Sequence, residues 1–370
     1  MAKRAAFLSF RFGLTDGVSV VARTWMDALT EFGFEVITVT GEPESDRTVP
    51  GLGLTSSPQL ASSPTANSGQ VPASDDALES ALSAALSDVD LVVVENLLTI
   101  PMNLAASAAA AKVLAGRPAL LHHHDPPWHR ERFAHITELP ATDPAWRHVA
   151  INRILREELA ERGITAAIIY NGFPTPGRRS REQAQQLRRD VRRSVGIGAD
   201  ELVIAHPVRA IERKNIPAAI ALAEAVGATY WLLGPAEEGY SDELNRLLGQ
   251  ASCKVVHHEW TDVEGIYAAA DHIAFPSTWE GFGNPPIEAA LYRTTVSVGD
   301  YPVAKELQAF GFDWFDPQDF AGIAAAIAAP DSAATVKMLN NNERIASDNF
   351  SLGRMRNSLQ QLLENAGWMP

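Results

Sequence analysis

The chain has 370 residues, 46% of them hydrophobic and 21% charged, so it can bury enough apolar surface to fold and is not a largely disordered protein. This length exceeds one ordinary hydrophobic core and suits two domains of about 150 to 200 residues each. Acidic residues (45) outnumber basic ones (31), and the resulting formal charge of -14 argues against nucleic acid or an anionic lipid surface as the main partner.

The sequence also favours a cytoplasmic protein with at most peripheral membrane contact. Its single cysteine, Cys253, cannot form an intrachain disulfide, which fits a reducing compartment. The apolar runs are far shorter than the roughly 20 residues that a membrane-spanning helix needs. The apolar stretch near the start of the chain is cut short by Arg11, and no cleavage site of a signal peptide follows it.

In the first half of the chain, apolar strand patterns alternate with helical ones. The patterns predict strands over 5–10, 34–40, 91–95, 119–123, 146–152 and 166–170, and helices over 18–32, 76–86, 103–114 and 153–161. Residues 41–74 are rich in Ser, Pro, Gly and Thr and predict a flexible surface loop. This alternation is typical of a doubly wound parallel sheet, which we expect over residues 1–172.

The same alternation resumes after residues 171–177, whose Pro and Gly content is typical of a linker. The patterns predict strands over 202–205, 229–233, 255–257, 273–275 and 295–298, and helices over 180–195, 216–225, 242–248, 263–270, 285–292 and 352–366. We therefore expect an α/β protein with a second Rossmann-like domain over 173–350, and a C-terminal helix in 351–370 that packs back on the first domain. Ligands of such folds bind at the carboxyl ends of the strands, so the site should lie in a cleft between the domains.

The densest motif is residues 276–289, where a strand, a glycine-rich loop and a helix follow one another. Asn284 and Pro285 suit the N-cap and the first position of that helix. Amides around Gly283 and Asn284, together with the positive end of the helix dipole, predict an anion site that also involves Phe282.

Two carboxylates, Glu280 and Glu288, flank this predicted anion site. They accept hydrogen bonds from hydroxyls, so the motif indicates a ligand that carries both phosphates and hydroxyls, as a sugar nucleotide does. The alternative is an ordinary loop with solvated glutamates.

Arg209 follows a predicted strand, and Lys214 lies five residues later, before the next helix. Two cations at the end of a strand can neutralise a diphosphate, with Arg as a fork and Lys as a point charge. The alternative is surface charge paired with Glu212.

Three histidines, His122, His123 and His124, end the fourth strand of the first domain. Neighbouring residues of a strand alternate between faces, so at most two of these side chains converge on one point. A polar site at the strand end is therefore favoured over a metal site. Glu95 and Asn96 end another strand of the same sheet.

No hydrolase elbow, Walker loop or complete Rossmann fingerprint occurs in the chain, which disfavours a hydrolase, a kinase and a dehydrogenase. Instead, Glu280 and Glu288, with seven residues between them, resemble the E-x7-E motif of retaining glycosyltransferases of the GT-B fold, particularly family 4. The resemblance extends to five further features: Gly17 in the first loop, Asn171-Gly172 before the linker, Arg209 with Lys214, the stretch 271–277, and His124-Asp125. The chain departs from the family at Thr15-Asp16-Gly17, where many members carry a glycine pair.

This resemblance implies transfer of a hexose from a UDP- or GDP-sugar to a hydroxyl, with retention of configuration and without a bound metal or cofactor. It implies that Glu280 binds sugar hydroxyls and Glu288 the ribose. The implied catalytic residues are His124, Arg209, Lys214 and Glu280, and the implied donor-binding residues are Gly17, Arg209, Lys214, Glu280, Phe282, Gly283, Asn284 and Glu288. His122 or His123 would replace His124 if the strand ended earlier.

The segment from His124 to Phe133 is similar to transferases that make glucosylglycerate-type solutes, which implies a small, anionic acceptor. The implied acceptor residues are Glu95, Asn96, Asp125, Arg130 and Arg132, although the two arginines could simply be solvated. A lipid or phosphoinositol acceptor, a phosphorylase or epimerase activity, and a non-catalytic nucleotide-sugar binding module are the alternatives.

Overall fold

The computed structural model of the chain describes residues 2–13, 17–54, 75–177 and 179–370. Its internal contacts divide the chain into two compact units. Unit 1 comprises Met1–Gly172 and Met355–Pro370, and unit 2 comprises Phe173–Arg354.

Unit 1 is built on a seven-stranded parallel sheet. Its strands are β1 (Arg4–Leu8), β2 (Glu35–Thr40), β3 (Arg47–Thr48), β4 (Leu91–Glu95), β5 (Ala119–His123), β6 (Trp146–Ala150) and β7 (Ala166–Ile168), in the order β3-β2-β1-β4-β5-β6-β7. Its helices are α1 (Gly17–Glu31), α2 (Asp75–Ala85), α3 (Leu104–Leu114) and α4 (Arg153–Glu161). The first strand lies inside the sheet and the chain winds outward on both sides of it, which is the doubly wound arrangement.

Unit 2 contains a five-stranded parallel sheet. Its strands are β8 (Val203–His206), β9 (Thr229–Leu232), β10 (Val255–His257), β11 (His272–Phe275) and β12 (Thr295–Val298), in the order β10-β9-β8-β11-β12. Its helices are α5 (Arg181–Ser194), α6 (Ile216–Val226), α7 (Ser241–Gln250), α8 (Val263–Ala269), α9 (Asn284–Leu291), α10 (Pro302–Gln308), α11 (Phe320–Ala328) and α12 (Ala333–Phe350). The two doubly wound α/β sheets confirm the predicted fold class.

The last helix, α13 (Leu352–Ala366), leads into a C-terminal segment that contacts unit 1. Lys3 Nζ donates to the carbonyl oxygen of Met369 at 2.6 Å, and Arg356 forms an ion pair with Glu31 at 2.9 Å. These contacts join residues more than three hundred positions apart in sequence, so the two ends of the chain meet in unit 1.

The expectation of a flexible loop over 41–74 is wrong for residues 41–54. These residues include β3, which pairs with β2, and they bury Val49 and Leu52 in the core of unit 1. The side-chain amide of Asn103 donates to the carbonyl oxygens of Gly51 (2.9 Å) and Gly53 (2.7 Å). Two apolar side chains and one amide thus order a segment of polar composition. Residues 55–74 lie outside the described ranges.

Residues 302–350, for which the pattern predicted no element, form α10, α11 and α12. Within the described ranges, no helix combines the length and the apolarity needed to cross a bilayer.

A buried arginine fastens α5 to the sheet of unit 2. The Arg192 side chain is 1% exposed and pairs with Asp271 at 2.8 Å, while its other nitrogens donate to the carbonyl oxygens of Ala269 and Glu201. Asp271 in turn accepts from the backbone N–H of Val203, where β8 begins. This ion pair therefore joins a helix to the amino ends of two neighbouring strands.

Candidate active site

The loops that follow β8 and β9 are joined. Gly234 approaches the first loop so closely that a Cβ at this position would lie 2.4 Å from the carbonyl oxygen of Val208. The backbone N–H of Glu237 donates to the carbonyl oxygen of Ala210 at 3.1 Å. This close approach sets Arg209 beside Glu237, with 2.5 Å between Nη1 and Oε2.

Glu280 binds two cations in unit 2. It is 6% exposed, and its two carboxylate oxygens accept from Lys214 Nζ at 2.5 Å and from Arg213 Nη1 at 2.6 Å. Burial raises the pKa of Glu280, but the positive charges of Lys214 and Arg213 outweigh burial and lower it. Glu280 is therefore an ionised carboxylate between two basic side chains.

Arg209 lies close to this cluster. Burial lowers the pKa of Lys214, and the Glu280 carboxylate opposes that shift. The positive charges of Arg213 and Arg209 lower the pKa of Lys214 further. The alternative reading, in which these cations pair with Glu212, is not what the structure has, since Arg209 pairs with Glu237 and Lys214 with Glu280.

A short 3-10 turn, Glu212–Lys214, is hydrogen-bonded to the glycine-rich loop. The backbone N–H of Thr278 donates to the Arg213 carbonyl oxygen at 2.9 Å. Arg213 Nη1 donates to the Trp279 carbonyl oxygen at 3.0 Å. These bonds hold the turn and the loop together, which explains why the Glu280 carboxylate meets both cations.

Gly283 is the N-cap of α9, so the predicted N-cap, Asn284, is the first residue of the helix. Gly283 has φ = 92°, and a Cβ there would lie 2.5 Å from the Tyr301 hydroxyl. Only glycine adopts this conformation without strain. Pro285 and Pro286 occupy the first turn and have no N–H, so the first backbone donors at this helix end are those of Gly283 and Asn284.

The side chain of Phe282 belongs to the core of unit 2. It is 5% exposed, and its ring centroid lies 6.2 Å from that of Phe173 and 6.1 Å from that of Phe350. Its backbone is the part left for contact with a ligand.

Glu288 lies on α9 and is partly buried. Its Oε2 accepts from the Tyr267 hydroxyl at 2.6 Å, and the Tyr267 ring stacks on that of Tyr292 with 5.1 Å between centroids. Burial raises the pKa of Glu288, and the bond from Tyr267 opposes the shift. The second carboxylate of the motif is thus held by a neutral donor, whereas Glu280 is held by cations.

In unit 1, Glu95 at the end of β4 lies between two imidazoles. The register places Glu95 opposite His122 of β5. Glu95 Oε2 is 2.9 Å from Nε2 of His124 and 3.1 Å from Nδ1 of His122, whose ring stacks on Trp25 at 4.0 Å. The Glu95 side chain is wholly buried and that of His124 is 6% exposed.

The pKa values of this cluster favour an ionised carboxylate. Burial raises the pKa of Glu95, but attraction to His122 and hydrogen bonds from both imidazoles lower it to about 2. Burial lowers the pKa of His122, which keeps that ring neutral near neutral pH.

Asn96 holds the backbone beside the histidines. It adopts a left-handed conformation, with φ = 63°. Its side-chain oxygen accepts from the backbone N–H of His124 (3.2 Å) and of Asp125 (3.1 Å). Glu95 therefore hydrogen-bonds the ring of His124, and Asn96 hydrogen-bonds its backbone.

His123 points to the opposite face of the sheet, as strand alternation predicts. It bonds Thr99 Oγ1 through Nδ1 at 2.7 Å and His148 Nδ1 through Nε2 at 2.9 Å. Burial keeps the pKa of His123 well below its usual value and lowers that of His148 to about 4. His122 and His124 are thus the two rings that share a face.

Of the two predicted acceptor arginines, the structure brings Arg130 to this cluster. Arg130 Nη2 lies 3.6 Å from Asp125 Oδ1. The preceding Trp128 and His129 both bond Glu158 of α4, which anchors this segment to the unit. Arg132 is exposed, and its guanidinium lies over the Phe133 ring at 4.6 Å, so it is not placed with the other acceptor residues.

Two family models match the chain. Glycosyltransferase Family 4 matches residues 15–175, and Glycosyl transferases group 1 matches residues 213–329. Anabaena Alr3699/HepE, whose structure was solved in complex with UDP-glucose, is 19% identical, with a TM-score of 0.70 over 98% of this chain and 99% of that one. The protein is a GT-B glycosyltransferase of the family 4 type. The predicted family, fold and enzyme class are thereby confirmed.

Three further proteins resemble this glycosyltransferase, one in solved structure and two in sequence. Sucrose-phosphate synthase from Thermosynechococcus elongatus is 16% identical, with a TM-score of 0.68 over 98% of both chains. Mannosylglucosylglycerate synthase from Thermotoga maritima is 24% identical over 97% of each chain. Mannosylglucosylglycerate synthase from Petrotoga mobilis is 26% identical in an alignment that covers 62% of this chain and 64% of that protein.

Gly17 is the first residue of α1 in the glycosyltransferase and is exposed. A Cβ at Gly17 would meet no described atom within 4 Å, so neither space nor φ requires glycine there. Thr15 and Asp16, where the sequence departs from the family, lie outside the described residues.

Glu95, His122 and His124 are the described residues that could hold a metal ion. One ligand-type atom from each lies within 4.8 Å of the others. Metal-bound histidines usually donate through their second nitrogen. Nε2 of His122 has no such partner in the described part of the chain. Hydrogen bonding accounts for the cluster without an ion.

Sequence reasoning missed three residues of this glycosyltransferase: Arg213, Glu237 and Tyr267. Each lies in a segment whose local pattern is unremarkable, and each meets its partner across at least 21 residues of chain. The adjacent pair Arg213-Lys214 before a helix was the one local signal for a second cation.

Proposed function

We propose that this glycosyltransferase moves a hexose from a UDP- or GDP-sugar to a hydroxyl of a small, anionic acceptor. We include in the proposal that the anomeric configuration is retained, that no metal ion takes part in the transfer, and that the enzyme works in the cytoplasm. The observation that carries the proposal is the cluster of Arg213, Lys214 and Glu280, with Arg209 nearby.

The cations suit the leaving group. Transfer of a sugar leaves growing negative charge on the nucleoside diphosphate, and positive groups already in place stabilise that charge more in the transition state than in the ground state. Lys214 and Arg209 supply such groups, and a divalent metal would otherwise supply the same charge. The Anabaena relative with UDP-glucose supports a nucleotide sugar as donor.

Glu280 is well placed for the donor sugar. With two cations bound to it, its charge is neutralised before the donor arrives. When a diphosphate engages Lys214, the carboxylate oxygens become acceptors for sugar hydroxyls. Glu288 is held by one neutral hydroxyl, from Tyr267, and we assign it to the ribose.

For retention of configuration, we propose that the acceptor hydroxyl attacks the sugar on the same face from which the nucleoside diphosphate departs. The proton of that hydroxyl passes to the departing phosphate. A double-displacement route would need an unhindered carboxylate nucleophile. Glu280 is bound by two cations and Glu95 is wholly buried between imidazoles, so neither side chain suits that role.

The acceptor assignment rests on Arg130 and on the relatives. Arg130 lies beside Asp125, next to His124, where a carboxylate on the acceptor would find a guanidinium fork. Two relatives are named mannosylglucosylglycerate synthase. A glycerate-type carboxylate suits both observations.

The first test is a thermal-shift screen with UDP, GDP and ADP. A ligand at about a hundred times its Kd stabilises a protein by about 2.7 kcal/mol, which is a readily measured shift. We expect UDP or GDP to stabilise the enzyme and ADP to stabilise it less. An equal shift with all three nucleotides would contradict the assignment of the donor.

The second test follows nucleoside diphosphate release from UDP-glucose and GDP-mannose with D-glycerate, glucosylglycerate or glycerol. Glycerol is the matched acceptor without a carboxylate, and we expect it to be the poorest of the three. Turnover unaffected by EDTA and an α-linked product from an α-linked donor support the proposal. Formation of an epimeric nucleotide sugar without an acceptor would favour an epimerase, and release with phosphate as the acceptor would favour a phosphorylase. Binding without any turnover would favour a binding module.

A further inference from the structure

Glu95 does not contact solvent, so it cannot bind an acceptor directly as the sequence predicts. Its side chain is wholly buried, and both imidazoles on its face of the sheet point a nitrogen at it. What Glu95 does for the reaction must therefore act through a neighbour. His124, 6% exposed, is the neighbour that reaches the surface.

The hydrogen bonds to Glu95 fix the position of one hydrogen on each ring. An ionised carboxylate only accepts, so Nδ1 of His122 and Nε2 of His124 each carry a hydrogen. A neutral imidazole has one N–H, so Nε2 of His122, whose pKa burial lowers, is an acceptor, and the neutral form of His124 presents Nδ1 as an acceptor. Nε2 of His122 is buried without a partner among the described residues.

The backbone of His124 is held as firmly as its ring. Asn96 accepts from the N–H groups of His124 and Asp125, and Ser9 Oγ donates to the Glu95 carbonyl oxygen at 3.0 Å. Within the described ranges no group hydrogen-bonds Nδ1 of His124. This nitrogen is thus an oriented acceptor whose own partner is absent from the described chain.

We infer that Glu95 is a positioning residue that orients His124 so that its Nδ1 accepts a hydrogen bond from a hydroxyl of the substrate. The inference rests on the proposed function, because sugars and glycerate-type acceptors supply such a hydroxyl. It makes His124 the residue that contacts substrate and gives Glu95 an indirect role. The alternative for the same three side chains is a metal site.

The first experiment needs no substrate. Ring nitrogens of histidine labelled with nitrogen-15 are observed by NMR in the whole enzyme near neutral pH, with H122Q and H124Q variants for assignment. We expect two neutral rings, His122 protonated at Nδ1 and His124 at Nε2. A doubly protonated His124, the opposite tautomer, or a metal-shifted signal that EDTA abolishes would overturn the inference.

The second experiment is a double-mutant cycle on turnover with the donor and D-glycerate pair that is active above. We expect E95Q to lower kcat by about 10- to 100-fold with the donor KM within about twofold, the fold-change that corresponds to the loss of one hydrogen bond to a charged group. H124Q should cost at least as much, and E95Q combined with H124Q should cost little more than H124Q alone. Losses that multiply would show that Glu95 acts independently of His124.

His148→Gln is the matched control for the kinetics. His148 is a buried histidine of the neighbouring strand that bonds His123 on the other face. We expect H148Q to lower Tm without the fall in kcat, and E95D, which keeps the carboxylate, to recover part of the activity lost in E95Q. An equal fall in kcat in H148Q and E95Q would show that the loss in E95Q comes from lower stability, and it would overturn the inference. If no donor is turned over, the proposed function fails while the NMR result still decides the position of the hydrogens.

Discussion

Lys214 Nζ and Glu280 Oε1 lie 2.5 Å apart, with 12% and 7% of their side chains exposed. This pair joins the turn after β8 to the glycine-rich loop after β11, which are 66 residues apart in sequence. Because both charges are largely withdrawn from water, losing Glu280 would leave the Lys214 ammonium without its carboxylate, whereas losing Lys214 would leave Glu280 paired with Arg213 at 2.6 Å.

Lys214→Met should lower kcat/KM for the donor by about 10²- to 10³-fold, the typical cost of removing one group that stabilises a leaving charge. Methionine keeps the length of the side chain and loses the charge. Lys254→Met is the control, because Lys254 is 46% exposed and pairs with Glu201 away from this loop. Steady-state release of nucleoside diphosphate measures both, and equal activity in the two variants would contradict the assigned role.

Gly283→Ala should destabilise the protein by about 1 to 3 kcal/mol, the cost of a left-handed non-glycine residue. The added Cβ would also meet the Tyr301 hydroxyl at 2.5 Å. Adding Tyr301→Phe should recover part of the loss, since this hydroxyl is buried without a partner in the described part of the chain. Gly17→Ala is the control and should leave the chemical denaturation midpoint nearly unchanged. A midpoint shift in G17A as large as in G283A would contradict this reading.

Acid should destabilise the fold through histidines that are buried neutral. Burial lowers the pKa of His148 to about 4, below the value of about 6.5 for an unfolded histidine. Between these values the unfolded state binds more protons, so stability is full above about pH 6.5 and falls toward pH 4 with a slope of about 1.4 kcal/mol per pH unit for each such group. Urea unfolding at several pH values measures the slope, and His148→Gln should reduce it. An unchanged slope in that variant would show that His148 does not contribute to the loss of stability in acid.

Arg192→Met should destabilise unit 2 by about 1 to 3 kcal/mol, because the carbonyl oxygens of Ala269 and Glu201 lose a buried charged donor, while Asp271 keeps Arg188 as a partner. Arg193, the next residue, is the matched control, with a side chain 76% exposed. Arg193→Met should change Tm little. Calorimetry of the two variants compares a buried and an exposed arginine one position apart, and similar Tm values would contradict the predicted difference.

The strands were the most predictable part of the fold. The runs Leu91–Glu95, Ala119–His123 and Thr295–Val298 form strands with the predicted bounds, because short, mostly apolar runs suit parallel strands that are buried on both faces. The three helices α10, α11 and α12 were missed, since they follow one another without the alternating strands that mark the other helices of the chain. The order of residues 41–54 was missed for another reason: Asn103, about fifty positions away, supplies its hydrogen bonds.

The sequence by itself determined the α/β class and the residues of the E-x7-E motif, because strand and helix periodicity and motif spacing are local properties of the chain. Only the tertiary structure decided that Glu280 binds Arg213 as well as Lys214, and that Glu95 is enclosed by two histidines instead of exposed to an acceptor. Burial and the pairing of charges depend on residues that lie tens of positions apart. No local pattern states which of them meet.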